Sequence, residues 1–115
     1  MPLRQERDGL LIVDLGDEPQ FSADIQAIND RVAAYGASDL IVSMASATLL
    51  NSAQWAALIQ LRHQLSEAGK RLVLSSVSFR LQGALKISGL DRAFTCHPDL
   101  SAARAALRSS SPTQS

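Results

Sequence analysis

The chain has 115 residues, 46% hydrophobic and 19% charged, and its eleven basic and eleven acidic side chains cancel to zero net charge. That length makes one domain with a single core. A neutral chain argues against nucleic acid as the main partner, because phosphate binding needs a clustered positive excess.

Residues 3–7 read as a short edge strand, and Asp8-Gly9 as a two-residue hairpin turn. Residues 10–15 form the returning strand, and Pro19 stops any ladder in the loop 16–20. Ser22 reads as the N-cap of a helix whose inward stripe is Ile25, Ile28 and Val32, extended by Tyr35. Gly36 reads as its left-handed C-cap. Leu40-Ile41-Val42 is apolar without alternation, as expected of a strand buried on both faces. A small, polar turn follows it, and a helix then starts at Asn51 or Ser52 and runs to about 68. Its stripe is Trp55, Leu58, Leu61 and Leu65. Gly69 ends it. Residues 71–77 read as another core strand, and Ser78 as the cap of a short helix burying Leu81, Ala84 and Leu85 until Gly89. Residues 93–96 form a last short strand. Asp99 caps a final helix presenting Leu100, Ala103 and Leu107. The expected domain is 1–107, and the Ser/Pro/Thr/Gln tail 108–115 is expected to be disordered.

The pattern is a hairpin followed by alternating helices and strands, an α/β chain whose successive strands should run parallel. Cys96 stands alone, so no internal disulfide can form, which fits a reducing compartment. Residues 1–8 lack the apolar core of a signal peptide, and no run approaches the roughly 18 residues of a membrane span. The cytoplasm is therefore the expected location.

No phosphate loop, dinucleotide fingerprint or nucleophile elbow is present. His63 reads as an exposed helix residue. His97 adjoins Cys96, but four-ligand zinc spacing is absent, so no metal and no cofactor are expected. Cys96 reads as a small buried hydrophobe. Asp14, Asp17 and Glu18 read as a solvated loop, with no nucleophile or oxyanion site beside them. Acidic residues dominate before residue 40, while Arg62, Lys70, Arg71, Arg80, Lys86, Arg92, Arg104 and Arg108 follow residue 60. This segregation either solvates opposite faces or serves docking by charge. The polar atoms of the turn and helix start, on Ser46, Thr48, Asn51 and Ser52, stand where α/β proteins usually keep their sites.

Three stretches carry a likeness: V-S-M-A-S-A-T-L-L-N-S-A-Q-W over residues 42–55, G-K-R-L-V-L-S-S-V-S over 69–78, and I-S-G-L-D-R-A-F over 87–94. Together they resemble a STAS domain, the module of bacterial anti-sigma-factor antagonists and of sulphate-transporter cytoplasmic ends. The family pattern runs L-D-L-S-x-V-x-x-I-D-S-S-G-L, a long helix, G-x-x-L-x-L-x-x-V-S, and T-G-L-D-x-L-F. Leu15-Gly16-Asp17-Glu18 is similar to the family's L-x-G-x-L turn. The resemblance implies a STAS-like fold: an N-terminal hairpin, then a mostly parallel sheet of four to five strands flanked by about four helices.

In antagonists of that family a partner kinase phosphorylates the second Ser of D-S-S-G. Here that position is Ala53, the Asp is Asn51, the Gly is Gln54, and the Asp of the preceding strand is Ser43. Ser52 alone survives, as a substitute acceptor. The resemblance implies a non-enzymatic module that binds a protein, an anti-sigma factor or serine kinase, without the usual switch. Its contact set would be Ser46, Thr48, Asn51, Ser52, Ala53 and Gln54, with Trp55 at the rim. A bulky acid at Gln54 is expected to abolish binding at unchanged melting temperature. Rival readings are a subunit of a transport or signalling assembly, and a small-molecule or nucleotide sensor.

Overall fold

The computed structural model describes residues 3–7, 9–48 and 50–109. Strand β1 (Leu3–Arg7) turns at Gly9, whose φ of 81° suits glycine, and pairs antiparallel with β2 (Leu10–Gly16). Asp8 of that turn lies outside the described residues. The chain continues through α1 (Gln20–Tyr35), β3 (Asp39–Ser46), α2 (Ser52–Glu67), β4 (Leu72–Ser75), α3 (Phe79–Ser88), a 3-10 turn (Leu90–Arg92), β5 (Thr95–His97) and α4 (Leu100–Ser109). The sheet order is β1-β2-β3-β4-β5, with β2 to β5 parallel. This is the α/β architecture that the alternating pattern predicts.

The two sheet faces are unequal. Leu11, Val13 and Leu15 of β2, Leu40, Val42 and Met44 of β3, and Leu72 and Leu74 of β4 face the larger core. Helices α1, α2 and α3 close it with Ile28, Leu58, Leu61, Leu65, Leu81 and Leu85. The alternate positions Leu10, Ile12, Ile41 and Val73 form a smaller cluster with Ala103 and Leu107 of α4. Both faces of the central strands are covered, which is why β3 reads as continuous apolar sequence. At the C-terminal end of the α4 face, Asp14, Ser43, Ser75 and His97 pair in register across four strands.

Several boundaries differ from expectation. Helix α1 begins two residues before Ser22, because the carbonyl of Asp17 takes the N–H groups of Gln20 and Phe21 and starts the first turn. Ser22 lies inside the helix and donates to Glu18. Phe21 and Asp24 are buried. Tyr35 is not: it is 80% exposed, its ring lying 5.0 Å from the Arg31 guanidinium carbon. Gly36 has positive φ, but its ψ of 171° is extended, so it leaves the helix without a left-handed cap. Strand β4 stops at Ser75, because Ser76 takes a φ of 57°. Strand β5 is Thr95–His97 rather than 93–96, and Phe94 is instead buried against Trp55. Cys96 is exposed, because β5 is the sheet edge and no strand lies beyond it. Helix α4 continues through Ser109, and the rest of the expected tail, 110–115, lies outside the described residues.

Candidate interaction site at the β3–α2 junction

Strand β3 ends at the C-terminal edge of the sheet, and the chain crosses 47–51 before α2 begins. Two apolar pegs fix this crossing, Ala47 and Leu50, each 6% exposed. Asn51 then caps α2. Its side-chain Oδ1 accepts from the Gln54 N–H at 2.8 Å, and its own N–H donates to Gln54 Oε1 at 2.8 Å. This reciprocal capping box satisfies two groups that a helix start otherwise leaves open. The Asn-x-x-Gln spacing is the sequence signature of that box.

A second clamp comes from the loop after β2. Asp17 Oδ1 accepts from the Thr48 N–H at 3.0 Å, and the Thr48 hydroxyl donates to Asp17 Oδ2. The Ser46 hydroxyl donates to Asp14 Oδ2 at 3.2 Å. Glu18 holds the start of α1, accepting the Ser22 N–H at 3.0 Å and the Ser22 hydroxyl at 2.7 Å. The three carboxylates read from sequence as a solvated loop thus have specific partners, and two of them brace the junction. Parallel pairing of β2 with β3 brings the two loops together.

The Ser22 hydroxyl and then its N–H hold the Glu18 carboxyl below its ordinary pKa of 4.5, with Gln54 a smaller contributor. A carboxyl whose pKa falls on folding stabilises the fold above its unfolded pKa, and that contribution is lost as pH falls through the lowered folded value. Site-resolved NMR titration should therefore place the Glu18 midpoint below 4.5, and the Ser22 amide should lose its hydrogen-exchange protection across the same window. In Glu18→Gln the Ser22 amide should show no such acid transition.

Of the residues expected to form a contact, Ser46, Thr48, Asn51, Ser52 and Ala53 are exposed and adjacent at the junction. Gln54 and Trp55 are buried, at 8% and 6% exposure. Gln54 is buried in the capping box, so a glutamate there would keep an acceptor for the Asn51 N–H but bury a charge. The expected unchanged melting temperature does not fit that position. Trp55 points inward, its ring centroid 6.0 Å from that of Phe94.

The remaining candidates lie elsewhere. His63 is exposed on α2, with Nε2 3.4 Å from Glu67. His97 is half-buried on β5. Ser75 pairs in register with His97 across β4 and β5. Ser75 is fully buried, and neither Ser75 Oγ nor His97 Nε2 has a hydrogen-bond partner. Among the described residues no group of three His, Cys, Asp or Glu side chains could hold a metal ion. No described helix is long and apolar enough to cross a membrane.

Solved structures share this fold. A Thermotoga maritima protein assigned as an anti-sigma factor antagonist superposes with a TM-score of 0.80 at 15% identity, covering 93% of each chain. RsbS from Moorella thermoacetica gives 0.77 at 15% identity, again over 93% of each chain. The Bacillus cell-fate determinant SpoIIAA in its phosphorylated form gives 0.69 at 12% identity, over 90% of this chain and 96% of that one. At such identities the likeness establishes the fold. Among curated proteins no sequence matches this chain. The family model for the STAS domain, however, matches residues 2–103. With the sheet order and the capped α2 start in place, the chain belongs to the STAS domain family.

Proposed function

We propose that this protein is a non-enzymatic interaction module of the bacterial cytoplasm, similar to anti-sigma-factor antagonists, that binds an anti-sigma factor or related serine kinase through residues 45–56. One observation carries the reading. The five outward-facing residues of the junction sit on a frame fixed by the Asn51–Gln54 box, the Asp17–Thr48 clamp and the buried Trp55. A preformed surface loses little conformational entropy on docking. Ser46, Thr48, Asn51, Ser52 and Ala53 make the contact, and Gln54 and Trp55 support it from beneath. Ala53 has no hydroxyl, so binding is constitutive and lacks the serine switch.

The test is affinity capture from the native cell with the wild type and with Ala53→Arg. Ala53 is exposed in the first turn of α2. The substitution should leave stability within about 0.5 kcal/mol. Wild type should capture an anti-sigma factor or kinase that the variant loses. Equal capture by both would remove the junction from the interface.

A further inference from the structure

At the other end of the parallel strands, where α2 gives way to β4, three cations surround one small cleft. Arg62 projects from α2, Lys70 and Arg71 follow Gly69, and Ser66 and Thr95 add two hydroxyls. The cleft has a volume of about 140 Å³, and no carboxylate lines it. Among the described residues, the side chains of Arg62, Lys70 and Arg71 form no ion pair; His63 with Glu67 is the pair seen on that helix.

Among the described residues these three side chains make no hydrogen bond or ion pair. Basic residues near a helix C-terminus often bond its open carbonyls. Here backbone donors fill that role. The Ala68 and Lys70 N–H groups donate to the Leu65 carbonyl at 3.0 and 2.8 Å, and the Gly69 N–H donates to that of Ser66 at 3.0 Å. The Asp39 carboxylate accepts the Arg71 backbone N–H at 2.9 Å. Three like charges gathered at one opening repel one another, and a bound anion offsets that repulsion. Guanidinium groups match tetrahedral oxyanions with paired donors, and an ammonium adds a point charge. A cleft of about 140 Å³ has room for a single anionic group.

We propose that Arg62, Lys70 and Arg71, with the Ser66 and Thr95 hydroxyls, form a binding site for a dianionic tetrahedral oxyanion. Phosphate, free or carried as a monoester on a small molecule, fits that description, and so does free sulphate. The site is separate from the β3–α2 junction, so its failure would leave the proposed partner surface untouched.

The experiment is an NMR titration of the isotopically labelled full chain with sodium phosphate at constant ionic strength, with sodium chloride as the control. Saturable shifts are expected at the amides of Ser66, Lys70, Arg71 and Thr95. Arg71→Gln should weaken binding about tenfold, the loss of one charge-assisted hydrogen bond, with the rest of the spectrum unchanged. Sodium sulphate and adenosine monophosphate form the other arms. A monoester binding tighter than phosphate identifies a carried group, and equal binding identifies the free anion. Identical shifts with chloride, shifts spread equally over Arg80, Lys86 and Arg92, or an unchanged curve for Arg71→Gln would each overturn the site.

Discussion

Trp55→Ala should cost about 3–5 kcal/mol of folding stability, the range for removing a large aromatic side chain from a core. Trp55 is 6% exposed and Phe94 is 5% exposed. Their rings lie 6.0 Å apart at 45°, a tilted arrangement that adds to simple burial. The contact ties the first turn of α2 to the segment entering β5, two parts of the chain far apart in sequence. Removing the indole leaves a cavity between them. A domain of this size has about 5–15 kcal/mol in total, so the loss takes a large share. Urea unfolding followed by circular dichroism measures it, since the only Trp is the residue removed. Trp55→Phe keeps a ring near Phe94 and should retain much of the stability. A loss below about 1 kcal/mol for Trp55→Ala would mean that the ring is not part of the core. The same experiment separates a frame from a contact: Trp55 acts on the junction by holding its helix, and it is not available to touch a partner.

Local patterns made the frame of this fold readable. Leu40-Ile41-Val42 without alternation gave away a two-sided strand, and both of its faces are covered. Trp55, Leu58, Leu61 and Leu65 sit at helical spacing, and all four are buried. Asp99 was legible as a cap, and its Oδ1 accepts the Ala102 N–H at 2.8 Å. What escaped was non-local. Asp14 finds Ser46 across 32 residues, and Asp17 finds Thr48 across 31, because the parallel pairing of β2 and β3 aligns their two exit loops. No periodicity encodes that meeting; only the strand order does. Gln54 was placed in the contact set, and Trp55, rightly read in the buried stripe, was also set at the contact rim, for a local reason. Consecutive residues of a first helical turn point in different directions. Ala53 therefore faces solvent while Gln54 folds back on Asn51 and Trp55 enters the core. Cys96 shows the limit of composition. Cysteine is among the more buried residue types, yet an edge strand leaves it exposed.

Ala53→Ser should install a phosphorylation switch at the surface proposed to dock. Ala53 is exposed at the second position of α2, two residues after the Asn51 cap. In D-S-S-G antagonists, which this segment resembles, that position carries the hydroxyl a kinase modifies. Serine there costs at most about 0.5 kcal/mol in helix propensity, so the fold should be retained. The first-turn N–H groups and the helix dipole favour an added phosphate. The phosphate brings close to two negative charges to the surface proposed to dock. Asp17 and Glu18 stand on the adjoining loop and deepen the negative field. With the partner kinase and ATP, intact-mass spectrometry should find one phosphate on Ala53→Ser and none on the wild type. The modified variant should then lose affinity for that partner, while the unmodified variant binds as the wild type does. Phosphate on Ser52 of the wild type would overturn constitutive binding, since a hydroxyl one residue away would then serve as the switch. Absence of phosphate on Ala53→Ser, with a kinase bound, would mean that the kinase reaches the surface in a different pose. Ala53 would then not be the residue that decides whether the proposed interaction is switched.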